Sequence, residues 1–548
     1  MEKRIIGILL YFFVIVSVGF SQISKKGTPF INNYTIDDYS PESNRASPQN
    51  WAIHQDSAGI IYFGNTDGLL IYDGTQWRLN FLPNLSAVRA ISGDSQNGLY
   101  VGGRNEFGQF IKNSRGRLEY NSFTSLLPDS LENIRNIWQI YHYNDSVIFQ
   151  ERNKLFIFSD DKLVDIIKTE YQFFWGFEYN AKLFFFEAGR GMTQLKNGKT
   201  ELVQDGGFYE NHTPRAVFRY NEDSLLFASP IDGLAFYDGK EFFHWDIPVS
   251  DFIVENQLYS GTQLSENSFA LGTQNAGVMI MNKKGEPKQL INKENGLQNN
   301  MVFDMKQDQH GDLWLALANG ISFLNLNSPF RYYTEKYGIP RQNYYVTKHE
   351  DRLYFSNDAG VYSKPWADIS SELMINKAEL VKGSKGQSWL FKQVGNYLLC
   401  GHNRGVLVIK DNEVKEILPV PANVWEIIKD PFKDNLYLAC STEGVYYLRY
   451  TDDKVKVRNK LKGYDGDVGY SAFDTSGHLW LSKEINGVFR LKIDENRDTV
   501  LKIDHYSSED GLPSDEGNWV YKYDGEMVIT NPDHDGIYKY NFNTDSIE

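Results

Sequence analysis

Trp51, Arg89, Trp138, Trp175 and Tyr259 occupy one recurring place in the sequence, and their side chains are suited to holding a ligand. Indole and phenol faces stack on flat rings and on the C–H faces of sugars, and a guanidinium offers planar donors to acidic groups. The ordinary alternative for the aromatics is packing between neighbouring structural units, and for any one of them packing is the first expectation. Arg89 is the odd member of the set. A charge standing where its counterparts are aromatic needs a partner, either a protein carboxylate or an acidic ligand. The carboxylate pair is the expectation carried forward.

Other chemistry finds little support. The ten histidines are scattered, without H-x-H, H-E-x-x-H or mixed Cys/His spacing, so no metal site is expected. DHDG at 533–536 and YDGD at 464–467 lack the ligand run and distant Glu of a calcium loop and read as hairpin turns. Neither a G-x-G-x-x-G phosphate loop nor a G-x-S-x-G elbow occurs. The expectation is a chain with no catalytic residue and no cofactor. With 71 acidic against 56 basic residues and a net charge of −15, it also lacks the basic footprint of a nucleic-acid binder. Cys400 and Cys440 fall one place apart in the local strand pattern (YLLCG against YLAC), which predicts two buried free thiols facing opposite ways.

The elements that must position these residues are short strands. NGLQNNMVFDMKQDQHGDLWLALANGISFL (295–324) holds three apolar runs of strand length, cut by DQHG and ANG turns. Its pattern recurs along the chain. A first marker falls at Trp51, Arg89, Trp138, Trp175, Ala216, Tyr259, Phe303, Tyr345, Trp389, Trp425, Gly469 and Trp519, at intervals of 36 to 50 residues. A second, a glycine ahead of an apolar run, falls at Gly68, Gly108, Gly191, Gly233, Gly277, Gly320, Gly360, Gly405, Gly444, Gly487 and Gly536, where the turn asks for positive φ. A period near 42 residues with four short strands is that of a propeller blade, and no unit carries a helical pattern.

Twelve blades exceed one ring. PFINNYT (29–35) and PFRYYT (329–334) each precede a set of blades and read as the outermost strand of their own ring's last blade. The fold class expected is all-β, with two β-propellers in tandem. The first, 22–328, is seven-bladed. The second, 329–548, shows five blades, the fifth stopping after its third strand, and reads as incomplete. Residues 1–21 read as a signal peptide: Lys3 and Arg4, an apolar run from Ile5 to Phe20, then small Gly19 and Ser21 before a cut at Gln22. The rival reading is a retained membrane anchor.

Segment 295–324 resembles the regulator-propeller repeat of bacterial two-component sensors, carried by Gly296, Leu297, Asn300, Asp308, Gly311, Leu313, Trp314, Asn319 and Gly320, with Ile321 replacing the usual Leu. YGIPRQN (337–343), FDTSGHLWLS (473–482) and DGLPS (510–514) are weaker echoes. The resemblance implies the extracytoplasmic sensing region of a signalling regulator at the periplasmic face of the inner membrane. Its partner would be a small-molecule or oligosaccharide ligand, with a homodimer among the admissible assemblies. Membrane attachment would come through a C-terminal anchor outside this chain or an uncleaved N-terminal helix, and an output module outside this chain would take the signal. The alternatives are a propeller enzyme, lyase or glycosidase, and a surface binding scaffold that signals nothing.

Overall fold

The computed structural model describes residues 29–40, 46–94, 98–128, 131, 134–328, 330, 332, 337–340, 342–366 and 377–548. The signal segment and most of PFRYYT lie outside them. Among the described residues the chain forms twelve four-stranded antiparallel sheets. Two compact units result: one runs to Tyr332 and holds seven sheets, the other starts at Tyr333 and holds five.

Burial follows strand position. The second strands are mostly buried, and Ile61–Asn65 and Leu313–Leu317 are buried at every residue. A middle strand has a neighbouring sheet on each face, so it carries a continuous apolar run instead of alternation. Outer strands such as Glu413–Leu418 are largely solvated and charged. The core therefore lies in layers between consecutive sheets. In the layer between the seventh and first sheets, Trp314, Ala316 and Ile321 meet Ile53, Phe63 and Leu70.

Eleven sheets use four strands in chain order. The seventh takes its outer strand from the start of the chain: Phe30–Tyr34 pairs antiparallel with Ile321–Asn325, Phe30 opposite Asn325 and Tyr34 opposite Ile321. Asn33 fixes this join, accepting from Ser322 Oγ at 2.7 Å and donating to the Gly296 carbonyl at 2.8 Å. The seventh sheet also meets the first directly. Ile53 N donates to Asp304 Oδ2 at 2.8 Å, and Asn50 Nδ2 to the Gly320 carbonyl at 3.2 Å. The seven-sheet unit is thus a closed ring.

Turn chemistry explains the DQHG and DTSG segments. Asp308 Oδ1 accepts from the backbone N–H of His310 and Asp312, Gly311 takes φ +83°, and Trp314 Nε1 donates to Asp308 Oδ2 at 3.2 Å. Ten of the eleven second-marker glycines have positive φ. Gly108 does not: there a Cβ would meet the Asn121 carbonyl oxygen at 2.1 Å, so close strand approach is what requires glycine.

Three expectations need correction. The twelfth sheet carries its own fourth strand, Ser546–Ile547, too short and polar to stand out in the sequence. A helix, Pro248–Glu255, lies between the fifth and sixth sheets; Pro248 opens it and Val249, Phe252 and Ile253 are buried along one face. The fifth of the recurring positions, Ala216, is displaced by one residue, to Arg215. Cys400 and Cys440 are free and buried, and burial pushes both thiols up.

Candidate functional site

In five of the seven sheets of the first unit the first strand carries an irregularity at one place, and in the third and fifth the corresponding residue stands just ahead of the strand. In the first sheet Asn50 pairs with Asn65 and Ala52 with Gly64, so Trp51 has no partner. Arg89 is skipped in the same way between Val88 and Ala90, Tyr259 between Leu258 and Ser260, and Phe303 between Val302 and Asp304. Phe174 and Trp175 are both skipped in the fourth sheet. In the third and fifth sheets, Trp138 N and Arg215 N donate to the carbonyls of Gln150 and Ala228, which already face Gln139 and Ala216. A bulge sets two residues against one and re-aims the extra side chain.

All seven blades deliver these side chains to one cavity of about 460 Å³. Every residue named as a candidate, Trp51, Arg89, Trp138, Trp175 and Tyr259, lines it. In the fifth blade the sequence marker Ala216 is off by one: Ala216 is buried in the core, and the preceding Arg215 lines the cavity. Phe174, Arg152, Arg215 and Asp304 are the aromatic and charged lining residues that the sequence pattern missed. Arg215 and Asp304 adjoin marker positions, so a window of three residues at each marker would have found them. Arg152 follows the second strand of its sheet, and no repeat signal points to it.

The lining is a belt of faces. Trp51 stacks on Phe303 with centroids 4.5 Å apart, and Tyr259 meets Phe303 edge-on at 5.2 Å. Arg89 Cζ sits 3.5 Å over the Trp51 ring and 5.6 Å from that of Trp138. Arg152 Cζ lies 5.9 Å from the Trp138 ring and 5.7 Å from that of Phe174, and Arg215 Cζ 5.3 Å from that of Tyr259. Two indoles are pinned by their N–H groups: Trp51 Nε1 donates to Thr66 Oγ1 at 3.0 Å, and Trp175 Nε1 to the Pro214 carbonyl.

The expected carboxylate partner for Arg89 is not there. Its Nε and Nη1 are buried without an acceptor, and burial pushes the guanidinium down from the usual arginine range, with Tyr259 pulling it back. The indole face of Trp51 takes the place that a carboxylate was expected to fill. Among the described residues the arginine ion pairs of this unit join Arg78 to Asp73 and Arg190 to Glu187, and none includes Arg89, Arg152 or Arg215. Asp304 is the one carboxylate in the lining. Its Oδ2 accepts from Ile53 N and its Oδ1 from Met305 N, both at 2.8 Å. Burial pushes its pKa up to about 6, against the pull of those two N–H groups.

The five-sheet unit repeats the bulge with different chemistry. Trp425 is skipped between Val424 and Glu426, and the Trp389 and Trp425 rings lie 4.4 Å apart. Ser471 Oγ donates to Glu426 Oε2 at 2.5 Å, and burial pushes Glu426 up to about 7. In the eighth sheet the skipped residue is Tyr344, one before the marker Tyr345. Among the described residues no cluster of His, Cys, Asp and Glu could hold a metal, and no helix is long and apolar enough to cross a membrane.

No family model matches the chain, and no curated protein matches it. Solved structures do. The extracellular domain of a protein assigned to the hybrid two component systems of B. thetaiotaomicron matches with a TM-score of 0.68 at 14% identity, over 95% of this chain and 72% of that one. The extracellular domain of a protein assigned to the one component systems of the same organism matches at 0.43 and 15%, over 94% and 72%. A streptogramin B lyase matches at 0.42 and 15%, over 54% of this chain and 98% of that one. The first likeness establishes the fold and agrees with the resemblance carried by the repeat motif; the other two are too distant in shape to argue from.

Proposed function

We propose that this chain is the ligand-capturing, exported part of a bacterial signalling protein, working at the periplasmic face of the inner membrane. It binds a small molecule or oligosaccharide in the cavity of the seven-sheet unit, and capture biases a conformational or dimeric equilibrium read by an output module outside this chain. Such a bias needs a ligand that favours one of two states. The observation that carries the reading is the convergence on a single cavity of one residue or pair from each of seven blades, mostly aromatic, five of them at a break in strand register. A bulge re-aims the side chain it adds, and five at one place in a closed ring turn their side chains onto this cavity.

The lining argues against a glycosidase. That chemistry uses two carboxyl groups flanking the bond, and Asp304 stands alone with both oxygens bonded to backbone amides. The test is calorimetry and thermal shift of residues 22–548 against neutral and acidic oligosaccharides. Binding of one class, weakened at least tenfold by Trp51→Ala, is the expected result. If no class binds or shifts the melting temperature, the ligand reading is wrong.

A further inference from the structure

The chain carries a formal charge of −15, yet the cavity of the seven-sheet unit is lined by three arginines and one carboxylate. Charge of one sign in a low-dielectric recess focuses potential and raises the local concentration of the opposite sign. The protein supplies no counter-ion to these arginines among the described residues. Arg152 Nη1 reaches only the neutral Gln172 Oε1 at 3.2 Å. Arg89 keeps two buried nitrogens without an acceptor, a costly arrangement unless an acceptor arrives from outside. Packing against indoles accounts for the position of the Arg89 guanidinium and leaves those nitrogens unsatisfied.

We propose that the cavity selects an anionic saccharide, its carboxylate or sulfate held by Arg89 with Arg152 or Arg215 and its ring laid on the belt of aromatic faces. This rests on the reading of the cavity as a ligand site and adds the sign of the ligand's charge. Guanidinium donors match both oxyanions in a planar, bidentate manner. The cavity, about 460 Å³, falls within the ordinary range for small ligands, about 300–1,000 Å³. Asp304 does not cancel the arginines, because its oxygens are already turned to Ile53 N and Met305 N.

The experiment is isothermal calorimetry on the full exported chain with matched probes: trigalacturonate against its methyl ester, a sulfated galactan tetrasaccharide against its desulfated form, and neutral cellotriose. The expected result is binding of a carboxylate or sulfate probe at least about tenfold tighter than its uncharged counterpart, weakening as sodium chloride rises. Which of the two acidic probes binds separates uronate from sulfate ester. Arg89→Gln and Arg215→Gln should each weaken that probe about tenfold. Arg215 is exposed, so its variant decides the matter if Arg89→Gln fails to fold by circular dichroism. Uncharged counterparts binding as well as the acidic ones, or cellotriose binding alone, would overturn the charge inference and leave the cavity reading in place. An acidic probe indifferent to Arg215→Gln and to folded Arg89→Gln overturns the assignment to these arginines. Silence from all five probes overturns both readings.

Discussion

The guanidinium of Arg89 sits over the indole of Trp51, its Cζ 3.5 Å from the ring centroid, while two of its nitrogens stay buried without an acceptor. The first contact stabilises by about 0.5–2 kcal/mol, and the unmet nitrogens cost about as much or more. Arg89→Met keeps the length and removes the charge. Urea unfolding should therefore show a loss no greater than about 1 kcal/mol, or a gain, as when buried charges give way to apolar side chains. A loss above about 3 kcal/mol would mark Arg89 as a structural member of the ring.

Asp304 ties the seventh sheet to the first through Ile53 N, and its pKa is pushed up to about 6. An unfolded aspartate titrates near 3.9. Between about pH 4 and 6 the folded chain holds a proton that the unfolded chain has lost, so stability falls as pH rises through that window and levels above it. Asp304→Asn cannot ionise. Scanning calorimetry from pH 4 to 7 should show a melting temperature for the seven-sheet unit that depends less on pH in the variant over this window. Parallel profiles for the two proteins would remove Asp304 as the cause.

The blades were legible because two constraints recur along the chain: a marked position at the start of the first strand, often bulged, and a glycine at the third strand in eleven of the twelve. Trp51, Trp138, Trp175 and Tyr259 could be aligned without structure since their residue type marks the position. Arg215 was not, because a small core residue, Ala216, follows it and a search for aromatics passes over a charge. The partner of Arg89 was misjudged for a similar reason. Sequence pattern places a side chain on a strand, but whether a ring face or a carboxylate covers it depends on the neighbouring blade. The strand Ser546–Ile547 is too short to leave a pattern, and the helix Pro248–Glu255 shows its apolar spacing at Val249, Phe252 and Ile253 over about two turns, too brief to stand out among strands.

Gly64 marks where one blade approaches the next. A Cβ there would stand 2.7 Å from the Val88 carbonyl oxygen and 3.3 Å from Ala52 Cβ. Neither atom can move without shifting a strand, so Gly64→Ala should cost about 1–3 kcal/mol. Gly74 is the control: at φ +97° with nothing within 4 Å of its Cβ, Gly74→Ala meets only backbone strain, about 1 kcal/mol. Equal losses for the two in denaturant melts would contradict the close approach.

Asp474 holds a turn and a charge together. Its Oδ1 accepts from the backbone of Ser476 and His478, both at 2.9 Å, and its Oδ2 from Trp480 Nε1 at 3.0 Å and Arg490 Nε at 3.2 Å. Asp474→Ala leaves a buried indole N–H and a half-buried guanidinium without this acceptor, so the five-sheet unit should lose about 3–5 kcal/mol. Asp308 has the same turn and indole bond with no arginine, and Asp308→Ala should cost about 1–3 kcal/mol in the seven-sheet unit. Separate unfolding transitions followed in guanidinium would compare the two, and a larger loss at Asp308 would contradict the argument.

The ring of seven sheets closes through a strand that the chain supplies first. Removing residues 22–34 would leave the backbone N–H and C=O groups of Ile321–Asn325 unpaired along one edge. Such an edge invites pairing with another chain. It would also strip Asn33 from Ser322 Oγ and the Gly296 carbonyl, and Tyr34 from the carbonyl contact with Gln298 Nε2 at 3.0 Å. The truncated protein should elute as larger species in size-exclusion chromatography, with a lower melting temperature for the seven-sheet unit. The point variant Asn33→Ala keeps the strand and loses two hydrogen bonds, so it should stay in the intact protein's elution position with about 1–3 kcal/mol less stability. If the truncation elutes and melts like the intact chain, the strand Phe30–Tyr34 does not close the ring.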